Sequence, residues 1–295
     1  MMKRIIFTDL RRAQRKVSYF VCIGIVVALM IIVTIVAFIR PADAEALQLS
    51  SETSGKGLAF LNNIGIAYSM IPFLVGIPVF QTVFSDDFKS RTMQTAIGRG
   101  ISRRRLVLCR FFEAIALLVE ACLIFTVLSI VMGLVLGASI GGLATMIGKL
   151  FFDLVLVVAN TSVAMLILYL TMNPTGGLVM YILLAADVFR MLLLLADAIP
   201  FLKDHGIKLS NIVPGGVHTL AANNLFGYVP TFASISAGAE DLQEGSAEAL
   251  QKILEGTVEQ NFLKAFGFTA ILVGVFIILP LVLSQVVFRK KELEF

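Results

Sequence analysis

Charge is scarce in this chain. Asp, Glu, Lys and Arg make up 15% of its 295 residues, against about 25% in soluble domains. With 58% hydrophobic residues and a mean hydropathy of +0.92, that scarcity excludes an ordinary soluble domain. Metal and thiol chemistry are equally poorly supplied. The two histidines, His205 and His218, have no acidic cluster between them, so no zinc-type ligand set is expected. Cys22, Cys109 and Cys122 fall in or beside apolar runs without a Cys-x-x-Cys pair, which reads as small buried hydrophobes rather than a disulfide framework. No His-Glu-x-x-His motif or nucleophile elbow occurs. A phosphate loop is missing as well: Gly148-Lys149 is followed by Leu150, with Leu143 where the first glycine belongs, and Gly55-Lys56 is followed by Gly57. The chain is therefore not expected to be an enzyme or to carry a cofactor or a nucleic acid. No repeat or domain boundary is evident, so residues 1–295 read as one transmembrane domain.

What the chain does have is long apolar runs. A membrane-crossing helix needs about 20 apolar residues, and six candidates qualify: Val17–Ile39, Ile64–Phe84, Ala114–Gly137, Leu154–Met172, Gly176–Ala196 and Ala265–Phe288. The expected fold is all-α, a polytopic six-span bundle. The first run is too long for a signal-peptide core, although the small residues of Arg40-Pro41-Ala42-Asp43-Ala44 leave cleavage as the lesser alternative. The fourth run could begin earlier, because residues 141–152 are apolar too, either as a longer tilted helix or as a re-entrant piece. Pro72, Pro78 and Pro280 lie inside runs and should kink them.

Lys and Arg set the orientation. Sixteen lie in the N-terminal segment, the loop after the second run and the C-terminal tail, against seven on the other side. Both termini are thus expected in the cytoplasm. Residues 1–16 form an expected interfacial helix, with Ile5, Ile6, Leu10 and Ala13 on one face and Arg11, Arg12, Arg15 and Lys16 largely on the other. Residues 203–263 form the expected extracellular region. It opens irregularly around Pro214-Gly215-Gly216 and offers an amphipathic helix over residues 247–262.

The most informative stretch is the polar, basic segment 85–110. Asp87 and Lys89 leave the membrane on a charged turn, and residues 90–97 can form a short amphipathic helix. Gly98 and Gly100 permit a tight turn. Ser102 can cap a new helix that runs through Arg103-Arg104-Arg105 into the third span. Such an elbow under the bilayer can receive a push from a docked partner.

These residues resemble the ABC-2-type permease family, the membrane half of many bacterial ATP-driven exporters. The family's loop after the second span carries an acidic residue, then Gly-Thr four and five positions later, then a Pro/Gly-x-Ser-Arg turn. Asp87, Thr92 and Gly100-Ile101-Ser102-Arg103 stand at those positions, with Arg91 in place of the family glycine. The general look is nearest to permeases of bacitracin-export and lantibiotic-immunity systems. The resemblance implies a multi-pass protein of the bacterial plasma membrane that pairs with a second permease copy and a separate nucleotide-binding ATPase. It implies ATPase coupling through Asp87, Arg91, Thr92, Gly100, Ser102 and Arg103, and an amphiphilic substrate such as a peptide antibiotic or lipid. A non-transporting sensor or scaffold, and an ion-coupled secondary transporter, are the rival readings.

Ionisable residues within spans are functional candidates by default. Glu113 can pair with Arg110, Asp187 with Arg190 and Lys149 with Asp153, each within one helix. Glu120 has no local cation and could bond another helix, line a substrate path or couple to protons. Gly133, Gly137 and Gly141 form a small-residue ladder suited to close helix packing.

Overall fold

The computed structural model describes residues 11–12, 14–41, 54–89, 92–98, 100–197, 199, 201, 208–226 and 262–290. Among the described residues every regular element is helical. We number them α1 (Val17–Ile39), α2 (Gly55–Ser69), α3 (Pro72–Ser85, continued by Asp86–Lys89), α4 (Thr92–Gly98), α5 (Arg103–Val135), α6 (Ile140–Thr171), α7 (Pro174–Ala185), α8 (Val188–Asp197), α9 (Pro214–Phe226) and α10 (Phe262–Lys290). The expected helices over residues 1–16 and 247–262 fall largely outside the described residues.

Helices α1, α5, α6 and α10 are each long and apolar enough to cross a membrane. The pairs α2–α3 and α7–α8 pass the same test together but bend by 42° and 53°. Among the described residues there are thus four candidate spanning helices, or up to six if each bent pair is one span. The bounds of α1 match its apolar run. Helix α5 starts eleven residues earlier than its apolar run, at Arg103, so the basic cluster is its first turn. Its 33 residues reach roughly 50 Å, well beyond a hydrocarbon core of about 30 Å. Helix α6 is continuous from Ile140; residues 141–152 are the start of a long helix and not a re-entrant piece.

The bends have local causes. Pro72 opens α3, and the backbone widens to i→i+5 spacing over Pro72–Gly76 and again over Gln81–Ser85. Proline removes a donor and crowds the carbonyl four residues back, and a wider turn relieves that crowding. Leu74 O, four residues before Pro78, loses its helical donor and accepts from the Cys22 thiol at 3.8 Å, and Tyr181 Oη donates to Pro72 O at 3.1 Å. In α10 the widened turn Gly274–Ile278 ends two residues before Pro280. The α7–α8 break carries no proline. It is made at Asp187, whose φ of 53° is left-handed, a conformation that Asp tolerates better than most residues.

Lipid offers no hydrophobic drive for helix association, so packing and hydrogen bonds hold the bundle. Tyr68, Tyr169, Tyr181, Phe60, Phe80, Phe84 and Phe125 are fully buried between helices. Small residues admit them: a Cβ on Gly76 would sit 1.7 Å from Tyr181 Oη. Gly133 likewise faces Leu143 and Phe60. The expected glycine ladder ends there, because α5 stops at Val135 and Gly137 lies in the following turn with φ 74°. Cys22, Cys109 and Cys122 are all buried thiols outside disulfides.

The segment around Pro214 is not irregular, as the sequence suggested. It forms α9, which packs against α6 and the first half of α10. Asp197, at the end of α8, turns the chain back by accepting the backbone N–H groups of Leu209 and Ser210 at 2.6 and 3.2 Å.

Candidate functional site

Two regions carry the polar chemistry, one at the elbow and one deep in the bundle. The first is the elbow. Helix α4 places Ala96 and Ile97 against the core and closes with Gly100 in a left-handed conformation at φ 84°. Gly100 N–H bonds Ile97 O and Ile101 N–H bonds Ala96 O, at 2.9 and 3.2 Å; this is the paired pattern of a glycine C-cap. Ser102 occupies the N-cap position of α5, but its hydroxyl makes no capping bond. Arg91 lies outside the described residues, as do the side chains of Asp87 and Thr92.

The elbow is tied to several helices. Arg103 Nη1 donates to Phe288 O near the end of α10 at 3.4 Å. The buried Phe288 ring lies 4.7 Å from Tyr169 of α6, which lies 6.1 Å from Phe88 at the foot of α3. Lys16, just before α1, donates to Thr82 O at 2.7 Å and pairs with Asp86 at 3.4 Å. Ser85 donates to Pro174 O, joining α3 to α7. The α4–α5 turn thus reaches α10 directly through Arg103, and α6 and α3 through the Phe288–Tyr169–Phe88 contacts, while Lys16 ties α3 to the start of α1. Further along α5, Arg110 and Glu113 form the expected pair at 2.6 Å, both fully buried. Glu120 accepts from Gln14 Nε2 at 2.8 Å. Its partner is thus the segment leading into α1, an inter-helix bond.

The second region is a cavity of about 90 Å³ among α2, α3, α6, α7, α8 and α9. Lys149 and Asp153 pair on α6 at 2.8 Å with side chains 5% and 7% exposed. Asp153 lies thirteen residues from the Ile140 end of α6, roughly 20 Å along the helix, which sets the cavity deep in the bundle. Arg190 reaches Asp187 at 3.3 Å across the α7–α8 break and donates to Thr219 of α9 at 2.7 Å. The Asp187–Arg190 pair is therefore real, but it spans a break instead of lying within one helix. His218 of α9 stacks on Phe152 with ring centroids 4.8 Å apart, and its Nε2 lies 3.2 Å from Asp153 Oδ1. That approach is too poorly aligned for a hydrogen bond, so Nε2 stays without one.

The convergence of these residues was missed from the sequence. Lys149, Asp153, Asp187 and Arg190 read there as separate self-neutralising pairs, and His218 and Thr219 as loop. One signal was present: Pro-Gly-Gly ahead of Val217, Ala221 and Ala222 places proline at the first helical position. The glycines permit close approach, since a Cβ on Gly215 would sit 2.1 Å from Asp187 Oδ1, and one on Gly216 2.0 Å from Ser210 O.

No family model, curated protein or solved structure matches this chain.

Proposed function

We propose that the chain is the membrane-spanning permease subunit of an ATP-driven exporter of the ABC-2 type. In this reading each bent pair is one span, giving six. Both termini and the elbow face the cytoplasm of a bacterial cell, which the Lys and Arg asymmetry supports. A second permease copy completes the transmembrane unit, and a separate nucleotide-binding ATPase docks on the elbow.

The observation that carries the proposal is the joining of the elbow to the spans. ATP-driven closure of the ATPase presses on α4 and the Gly100 turn. Arg103 and the Phe88–Tyr169–Phe288 contacts pass that displacement to α3, α5, α6 and α10. The Lys16–Asp86 pair passes it to α1. Asp87, Arg91, Thr92, Gly100, Ser102 and Arg103 are the proposed coupling residues. The substrate is amphiphilic, because long apolar faces with few charges suit such molecules.

The test is co-reconstitution with a candidate ATPase and titration with peptide and lipid amphiphiles. ATP hydrolysis stimulated by an amphiphile, and lost on disrupting the elbow, supports the reading. Hydrolysis indifferent to every amphiphile counts against it. Glu120, a carboxylate bonded to the neutral Gln14, favours one second reading, an ion-coupled carrier; uptake or export that proceeds in an ion gradient without ATP selects it.

A further inference from the structure

We infer that the cavity between α3, α6, α8 and α9 binds the neutral carbonyl of an amphiphile, an amide or ester, with its chain on the apolar wall. Three observations lead there. The cavity's formal charges cancel in pairs, Lys149 with Asp153 and Arg190 with Asp187. An added ion would leave an uncompensated charge in a poorly solvated site, which is costly. Two buried nitrogens of the lining residues have no hydrogen-bond partner: Arg190 Nε, a fixed donor, and His218 Nε2, whose nearest polar neighbour is Asp153 Oδ1 at 3.2 Å. A buried donor without an acceptor costs free energy that a ligand oxygen recovers. The volume, about 90 Å³, holds some three water-sized groups, enough for a polar head but not a peptide body. Pro72, Phe73, Leu156, Leu184 and Met191 complete the wall and suit an alkyl chain.

Binding at this site needs no ATPase, so its failure is distinguishable from failure of the permease reading. The chain contains no tryptophan, so one introduced residue gives a fluorescence signal without background. Met191 lines the cavity and is 37% exposed, which makes Met191→Trp the reporter; Leu156→Trp is the substitute if that variant does not fold. Chain-brominated probes of equal length are titrated into the full chain in unbrominated nanodiscs: an N-alkyl acetamide, an alkyl acetate, an alkanoate and an alkylamine. Saturable quenching by the acetamide or the acetate, at lower concentration than by either ion, is the expected result. Preference for the acetamide points to peptide-like ligands, and preference for the acetate to lipid esters. Arg190→Lys keeps the charge facing Asp187 but removes Nε–H, and should weaken the neutral probes about tenfold. The inference is overturned if the alkanoate or alkylamine binds as well as the neutral probes, if no probe saturates, or if Arg190→Lys leaves affinity unchanged.

Discussion

Replacing Lys149 by Met tests whether the cavity's charges are held as a unit. Lys149 Nζ and Asp153 Oδ2 are 2.8 Å apart and almost wholly buried. At an effective dielectric of about 20 their attraction is roughly 6 kcal/mol. Removing two ions from water costs several kcal/mol each, so the intact pair comes close to breaking even. Removing Lys149 alone is different, because it strands the Asp153 carboxylate, at a typical cost of about 3–5 kcal/mol. His218, 3.2 Å from the other carboxylate oxygen, can turn to take part of that load. The lower figure, about 3 kcal/mol, is therefore expected. At roughly 2–4 °C per kcal/mol, the melting temperature should fall by about 6–12 °C. The three cysteines are buried thiols, so a thiol-reactive dye reports unfolding directly in detergent or nanodiscs. Lys149→Met paired with Asp153→Leu removes both charges and should recover most of the loss. A double variant as unstable as the sum of its singles would refute the reasoning, as would an unchanged Lys149→Met.

Three further outcomes follow from single contacts. Gly215→Ala drives a methyl group into the Asp187 carboxylate and should cost about 1–3 kcal/mol, read by the same dye assay; Gly141→Ala, in open space, should cost little. Tyr181→Phe leaves Pro72 O without its side-chain donor and should lower stability by about 1 kcal/mol. Glu120→Gln retains an acceptor for Gln14, so assembly should persist by size exclusion while transport falls. Glu120→Leu should also loosen the segment ahead of α1, seen as faster amide exchange there.

The helical class and membrane character were legible because apolar runs are long and nearly uncharged, and α1 was placed to the residue. The elbow was legible too, since Gly100 and Ser102-Arg103 mark a helix stop and restart that depend only on neighbouring residues. The break at Asp187 was not. Ala185-Ala186-Asp187-Val188 contains no breaker, and its left-handed turn is surrounded by residues distant in sequence, Thr219, which holds Arg190, on one side and Gly215 on the other. The cavity was hidden for the same reason. Each charged pair looks complete within its own helix, and only the return of α9 into the bundle brings His218 to Asp153. Helix α9 itself was obscured by its glycines, which favour turns locally but here serve close approach. Of the prolines expected as kinks, Pro72 stands at the 42° bend between α2 and α3, while Pro78 and Pro280 lie beside widened turns.

The central claim is that this chain couples to a separate ATPase through the 85–110 elbow. The most direct measurement is to tag the chain, purify it gently from its native membrane and identify what accompanies it. A stoichiometric nucleotide-binding ATPase, lost when Asp87→Ala and Arg103→Ala are combined in a variant that still folds, is the predicted result. A preparation free of any ATPase, under conditions that preserve other membrane complexes, would contradict the account.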